Sequence, residues 1–136
     1  HLAVSLHNPF REERAAIMPV ERAWPIAEVA AILRQYDFTH QRRVSFEYIV
    51  MSGLNDSPRH IRELCRLLDG IKCRINLIRF HKIPGSPYFS PDDAAMVRFR
   101  DALTAKGIQT TIRASRGEDI QAACGLLSTS ATDAGQ

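Results

Sequence analysis

Strand-like and helix-like stretches alternate along this chain, and that alternation limits its fold more than any other feature. Residues 2–6 are a short apolar run suited to a buried strand, broken by Asn8-Pro9. One or two helical turns fit 11–17 and end at Pro19. Pro25 suits the first position of a helix carrying Ile26, Val29, Ala30 and Leu33 at helical spacing. Residues 37–41 read as a polar connection. The clearest strand is 43–51, where Val44, Phe46, Tyr48 and Val50 alternate with Ser45, Glu47 and Ile49. After the loop Gly53-Leu54-Asn55-Asp56, Ser57 caps a helix with Pro58 first. Ile61, Leu64, Cys65 and Leu68 form its expected buried stripe, and Gly70 ends it. Residues 73–80 form the next strand, and the prolines and glycine of 81–89 make an irregular loop. Ser90 is the expected cap of a further helix, with Asp92 and Asp93 against its macrodipole and Met96, Phe99 and Leu103 facing inward. Gly107 terminates it. A strand over 109–114 and a helical stretch over 118–127 complete the pattern.

Strands separated by helices imply right-handed crossovers and a parallel sheet. The 136 residues supply about four strands, whereas a closed eightfold β/α barrel needs roughly 200–250 residues. The expected fold class is therefore α/β: a small open sheet, or part of a larger barrel. Residues 1–127 form the expected folded unit and 128–136 a small polar tail expected to be disordered. The chain opens on His1-Leu2-Ala3-Val4, already strand-like and without Met, so a segment cut from a longer protein is expected; a processed terminus is the alternative. In parallel sheets chemistry gathers at the C-terminal strand ends. Here that means His7-Asn8 and the stretches 52–55, 80–88 and 115–117.

Composition excludes several classes. With 45% apolar and 24% charged residues the chain is ordinary globular material. No window approaches the ~18 apolar residues of a membrane span, and the first residues lack a basic region followed by an apolar stretch, so no membrane or secretory role is expected. The net charge of +3 is compatible with a polyanionic partner. Lys72, Lys82 and Lys106 are the only lysines, and an arginine-rich cation set suits phosphate contacts, although a GC-rich genome produces the same bias. Three cysteines make no disulfide framework, and a reducing cytosol is the expected compartment.

Phosphate loops, dinucleotide fingerprints, H-E-x-x-H and C-x-x-C are all missing from the sequence. Ser5-Leu6-His7 ends a strand with a hydroxyl and an imidazole on either side of Leu6, which either binds a ligand or satisfies its own backbone. Asn76 lies inside a strand, where its amide either holds a ligand or meets a neighbouring polar side chain. Glu47, between Phe46 and Tyr48, likewise either holds a ligand or forms an internal ion pair with an arginine. Cys65 and Cys73 read as packing residues. Cys124 sits among small residues shortly after Arg116; it is either an approachable, thiolate-prone sulfur or an inert small hydrophobe.

Together these residues resemble the radical S-adenosylmethionine (SAM) 23S rRNA adenine-C2 methyltransferases. The shared features run in order: Ser5-Leu6-His7, the V-S-F-E-Y-I-V-M strand at 44–51, the G-L-N-D loop at 53–56, the I-N-L-I strand around Asn76, the P-G-x-P-Y loop at 84–88 and R-G-x-D-I-x-A-A-C-G at 116–125. The match spans nearly the whole chain, and 116–125 is its most specific part. The resemblance implies a partial parallel β/α barrel of the radical SAM kind. It implies that Ser5, Leu6, His7 and Asn76 contact SAM and that Cys124 accepts a methyl group from it. A second SAM at a 4Fe-4S cluster, fed by an electron donor, would supply the radical that moves this methyl carbon to carbon 2 of an adenine. The resulting thioether would be resolved by a disulfide to Cys124. The implied substrates are 23S rRNA and, as a second one, tRNA, in the cytoplasm. The displacement that loads a thiolate is simple, whereas carbon 2 of adenine is not nucleophilic, which is why such a route is needed.

The sequence departs from the family in lacking the cluster motif C-x-x-x-C-x-x-C, the resolving cysteine and the N-terminal RNA-binding extension, all of which precede the segment corresponding to His1. The chain thus resembles the C-terminal half of such an enzyme and is expected to be inactive by itself. Arg79-Phe80-His81 stands where many members carry a proline–tryptophan pair. Two other readings compete: a non-catalytic basic RNA-binding module, for which Phe80 and Tyr88 near Arg79 and Lys82 are the available aromatics, and a small nucleotide-binding α/β domain.

Overall fold

The computed structural model describes residues 2–35 and 44–113. Its elements run β1 (Ala3–Ser5), α1 (Arg11–Ile17), α2 (Val20–Ala23), α3 (Ile26–Gln35), β2 (Val44–Val50), α4 (Pro58–Leu68), β3 (Cys73–Arg79), α5 (Asp93–Ala105) and β4 (Gln109–Arg113). The four strands form one sheet in the order β1-β2-β3-β4, and every adjacent pair is parallel. The expected α/β architecture is therefore the observed one. The expected helix over 118–127 and the tail 128–136 lie outside the described residues, as does the connection at 37–41.

Successive side chains of a strand point to opposite faces, so each strand splits into two sets. Val44, Phe46, Tyr48, Val50, Ile75 and Leu77 enter one core with Ile26, Ala30 and Leu33 of α3, Leu64, Leu67 and Leu68 of α4 and Met96, Phe99 and Leu103 of α5. Burial of this set is the main source of stability, at about 25 cal/mol per Å² of apolar surface. The other set is polar over most of its length: Ser5, Ser45, Glu47, Arg74, Asn76, Gln109, Thr111 and Arg113. Only the C-terminal end of this second face is apolar. There Ile49, Met51, Ile78 and Phe80 pack under Ile17 and Met18, with Leu54 and Tyr88 alongside. A sheet cut from a larger barrel is expected to expose apolar surface on its open inner face, and here it does not. Its apolar part is already covered from within the chain.

Local signals act largely as expected. Ser57 caps α4 with Pro58 in the first turn, and Gly70 and Gly107 end α4 and α5 with φ of 82° and 93°. Three details differ. The cap of α5 is Asp92, whose Oδ1 accepts the Ala95 N–H at 2.7 Å, while the Ser90 hydroxyl donates to the Pro91 carbonyl. A carboxylate at this position satisfies an orphan donor and meets the macrodipole, which a serine hydroxyl does less well. The short α2 fills what reads as a break after Pro19. In α4 the buried residues are His60, Leu64, Leu67 and Leu68, so Cys65 is only half buried.

Candidate functional site

Strand register assembles the site. Ser5 pairs with Glu47, Glu47 with Asn76, and Asn76 with Thr111, so these four side chains form one row across all four strands on the polar face. Asn76 Oδ1 accepts the Thr111 hydroxyl at 2.7 Å, which fixes the amide and leaves its NH2 donors to face outward. Glu47 Oε1 accepts from Arg113 Nη1 at 3.0 Å across the top of β3. Both open sequence alternatives thus find protein partners: Asn76 meets a polar neighbour and Glu47 an arginine.

The end of β1 is built with more polar contacts than its length suggests. Leu6 N–H donates to the Glu47 carbonyl at 2.9 Å, and a regular parallel ladder would next run from Ile49 N–H to the Leu6 carbonyl. Instead His7 Nδ1 takes the Ile49 N–H at 3.0 Å. The Leu6 carbonyl turns away and accepts from Arg14 Nε at 2.9 Å, and the Ser5 carbonyl accepts from Arg14 Nη2 at 2.8 Å. Arg14 is itself buried against Glu21, Nη1 to Oε1 at 2.6 Å. His7 adopts a left-handed backbone with φ of 58°, a conformation rare outside glycine, at the point where the chain leaves the sheet. Burial, reinforced by the Arg14 charge, pulls the His7 pKa down to about 4. Its imidazole is thus neutral, with Nδ1 as acceptor and the proton on Nε2.

Asn55, which the sequence reading left inside a loop, completes this corner. Its side chain is fully buried, accepts the Met51 N–H at 2.9 Å, and donates to the carbonyls of His7 and Ile49, both at 2.7 Å. Tyr48 Oη donates to the Asn55 carbonyl at 2.6 Å. A signal for it existed: an asparagine two residues after Gly53, at the end of the strongest strand. Outside this corner, Glu13 gathers donors from Asn8, Arg59 and His60, and Ser57 Oγ meets His60 Nδ1 at 2.6 Å. Burial alone would raise the Glu13 pKa, but the bonds from Arg59, His60 and Asn8 outweigh it and hold the group at about 2. The network ties the loop after β1 to the start of α4.

Of the four residues singled out as cofactor contacts, Ser5 and Asn76 share the open row. His7 stands at the rim of the sheet beside them. Leu6 points the other way into the helix-side core, with its N–H and carbonyl both engaged. Cys124 lies outside the described residues. Phe80, offered as an RNA-facing aromatic, is 1% exposed and packs edge-on against Tyr88.

No family model matches the chain. Curated relatives do. A probable dual-specificity RNA methyltransferase RlmN of Parabacteroides distasonis is 62% identical over 129 residues, covering 95% of this chain and 38% of the relative. Its counterpart in Porphyromonas gingivalis strain W83 is 59% identical over 136 residues, 100% of this chain and 40% of the relative. The dual-specificity RNA methyltransferase RlmN of Syntrophus aciditrophicus is 43% identical over 128 residues, 94% of this chain and 37% of the relative. Among solved structures, a radical SAM methyltransferase from Sphaerobacter thermophilus superposes with a TM-score of 0.80 at 45% identity, over 92% of this chain and 37% of that one.

Nearly the whole chain is thus similar to part of RNA methyltransferases and of a radical SAM methyltransferase. The chain spans about two fifths of the length of the relatives it matches. A domain of a pyruvate-formate lyase-activating enzyme from Bacteroides vulgatus shares the fold at a TM-score of 0.64 and 15% identity.

The open row suits SAM, a ligand with hydroxyl, ammonium, carboxylate and ring-nitrogen groups, because it offers a hydroxyl, a carboxylate oxygen and amide donors in sequence. A 4Fe-4S cluster is different. Among the described residues no group of three or more His, Cys, Asp or Glu could hold a metal ion. Cys65 and Cys73 line a cleft of about 160 Å³ with Lys106, at the N-terminal end of the strands and away from the row. The described residues therefore do not supply the cluster's ligands. No helix among them is long and apolar enough to cross a membrane.

Proposed function

We propose that this chain is the C-terminal part of a cytoplasmic radical SAM methyltransferase acting on carbon 2 of an adenine in 23S rRNA, with tRNA as a second substrate. The observation that carries the reading is the row in which Ser5 and Asn76 face the same side of the sheet, in a chain up to 62% identical to RNA methyltransferases. SAM, when bound, supplies an activated methyl group and a source of a carbon-centred radical. In this proposal Ser5 and Asn76 bind it on the open face, His7 shapes the rim, and Leu6 holds the strand end in the core. Cys124 accepts the methyl group, and a disulfide to Cys124 later releases the product. The cluster and the cysteine that pairs with Cys124 come from outside the described residues.

The test uses the full-length protein. Incubated with SAM, it should carry a 14 Da adduct on the Cys124 peptide, and digests of 23S rRNA and tRNA should contain 2-methyladenosine. Cys124→Ala should abolish both. Methylated RNA at undiminished yield from Cys124→Ala overturns the reading.

A further inference from the structure

Glu47 is a residue of the open row that neither the resemblance nor the relatives' names account for. Its place is specific. Ser5 and Asn76 are its direct partners on the two neighbouring strands, so a ligand touching both must pass over Glu47. Adjacent strands lie about 4.8 Å apart, which puts Ser5 and Asn76 about 10 Å from one another with Glu47 midway. The side chain is 19% exposed, with Oε1 committed to Arg113. Oε2 is shielded from water and has no hydrogen-bond partner among the described residues. Such an unmade bond is costly for a carboxylate oxygen, and native structures rarely leave one without a reason.

We propose that Glu47 is a further cofactor-binding residue of this face, its free Oε2 accepting a hydrogen from a hydroxyl or ammonium group of the bound adenosyl ligand. The inference rests on the functional reading above. The chemistry follows from the row itself. An ionised carboxylate only accepts, so its partner must be a donor. Asn76 beside it presents donors, because Thr111 holds its Oδ1. The pair therefore recognises neighbouring donor and acceptor groups on one ligand. A ribose diol has that pattern, and so does an α-ammonium next to an α-carboxylate. Arg113 is the positioning residue that keeps the Glu47 side chain aimed.

The experiment is equilibrium binding to the full-length protein with two probes, S-adenosylhomocysteine and 5′-methylthioadenosine; the second lacks the amino-acid part. Glu47→Gln keeps the shape and the bond to Arg113 but replaces the accepting Oε2 with a donor. It should weaken S-adenosylhomocysteine binding by tenfold or more. An equal loss for 5′-methylthioadenosine assigns the donor to the nucleoside, and a loss confined to S-adenosylhomocysteine assigns it to the ammonium. Unchanged affinity for both probes, within threefold, overturns the role of Glu47. If the wild-type protein binds neither probe, the functional reading itself fails. A structure of the wild-type complex with S-adenosylhomocysteine decides the point without any substitution: Oε2 should lie within hydrogen-bond distance of a ligand donor, and a separation beyond 4 Å overturns the proposal.

Discussion

The His7 imidazole stands in the sheet where a backbone carbonyl would stand, its Nδ1 taking the Ile49 N–H at 3.0 Å. One side chain thereby ends β1 without leaving the β2 edge unsatisfied, and it frees the Leu6 carbonyl for Arg14. The arrangement works only with a neutral ring.

That requirement makes the fold acid-sensitive. The unfolded chain binds a proton at His7 below pH 6.5, and the folded chain only below about 4. Stability is complete above pH 6.5 and falls as pH drops through that window, by about 3 kcal/mol in all. Glu13, held at about 2 against an ordinary 4.5, adds a second loss as pH falls from 4.5 toward 2. Denaturant midpoints measured from pH 8 to 3 should show both steps. His7→Gln should flatten the first and Glu13→Gln the second; a profile flat between pH 6.5 and 4 in the parent chain would contradict the buried neutral imidazole.

Arg14 joins the carbonyls of Ser5 and Leu6 to Glu21, and Glu21 also accepts the Ile26 N–H at 2.9 Å. Arg14→Met strands a buried carboxylate and should cost about 3–5 kcal/mol. Arg14→Met combined with Glu21→Leu should recover part of that loss. Chemical denaturation of the three variants checks the order.

Thr111 holds the Asn76 amide. Thr111→Val lets the amide rotate and should weaken S-adenosylhomocysteine binding by roughly tenfold, the worth of about one hydrogen bond. Thr111→Ser keeps the hydroxyl and should stay within about threefold of the parent. Equal losses in both variants would point to packing instead of amide orientation.

Among the described residues β1 pairs only with β2, which leaves its other edge open, and Leu2 beside it is exposed. Open edges template intermolecular pairing. The chain by itself should sediment as an oligomer at micromolar concentration, and Ala3→Lys should shift it toward monomer. A monomeric parent chain would show that this edge is satisfied internally.

Local chemistry made much of this molecule legible in its sequence. The alternation of Val44, Phe46, Tyr48 and Val50 with Ser45, Glu47 and Ile49 specifies a strand and its two faces. Ser57-Pro58, Gly70 and Gly107 mark helix ends because caps and left-handed turns need few residues in contact. Ser5, His7 and Asn76 stand out because polar groups at such positions demand partners. The identity of those partners was decided by tertiary structure alone. Thr111 is 35 residues from Asn76, Arg113 is 66 from Glu47, and Ile49 is 42 from His7. Parallel strands joined by helical crossovers acquire their register from how the helices pack, not from any local preference. That register is what sets Ser5, Glu47, Asn76 and Thr111 side by side in one row.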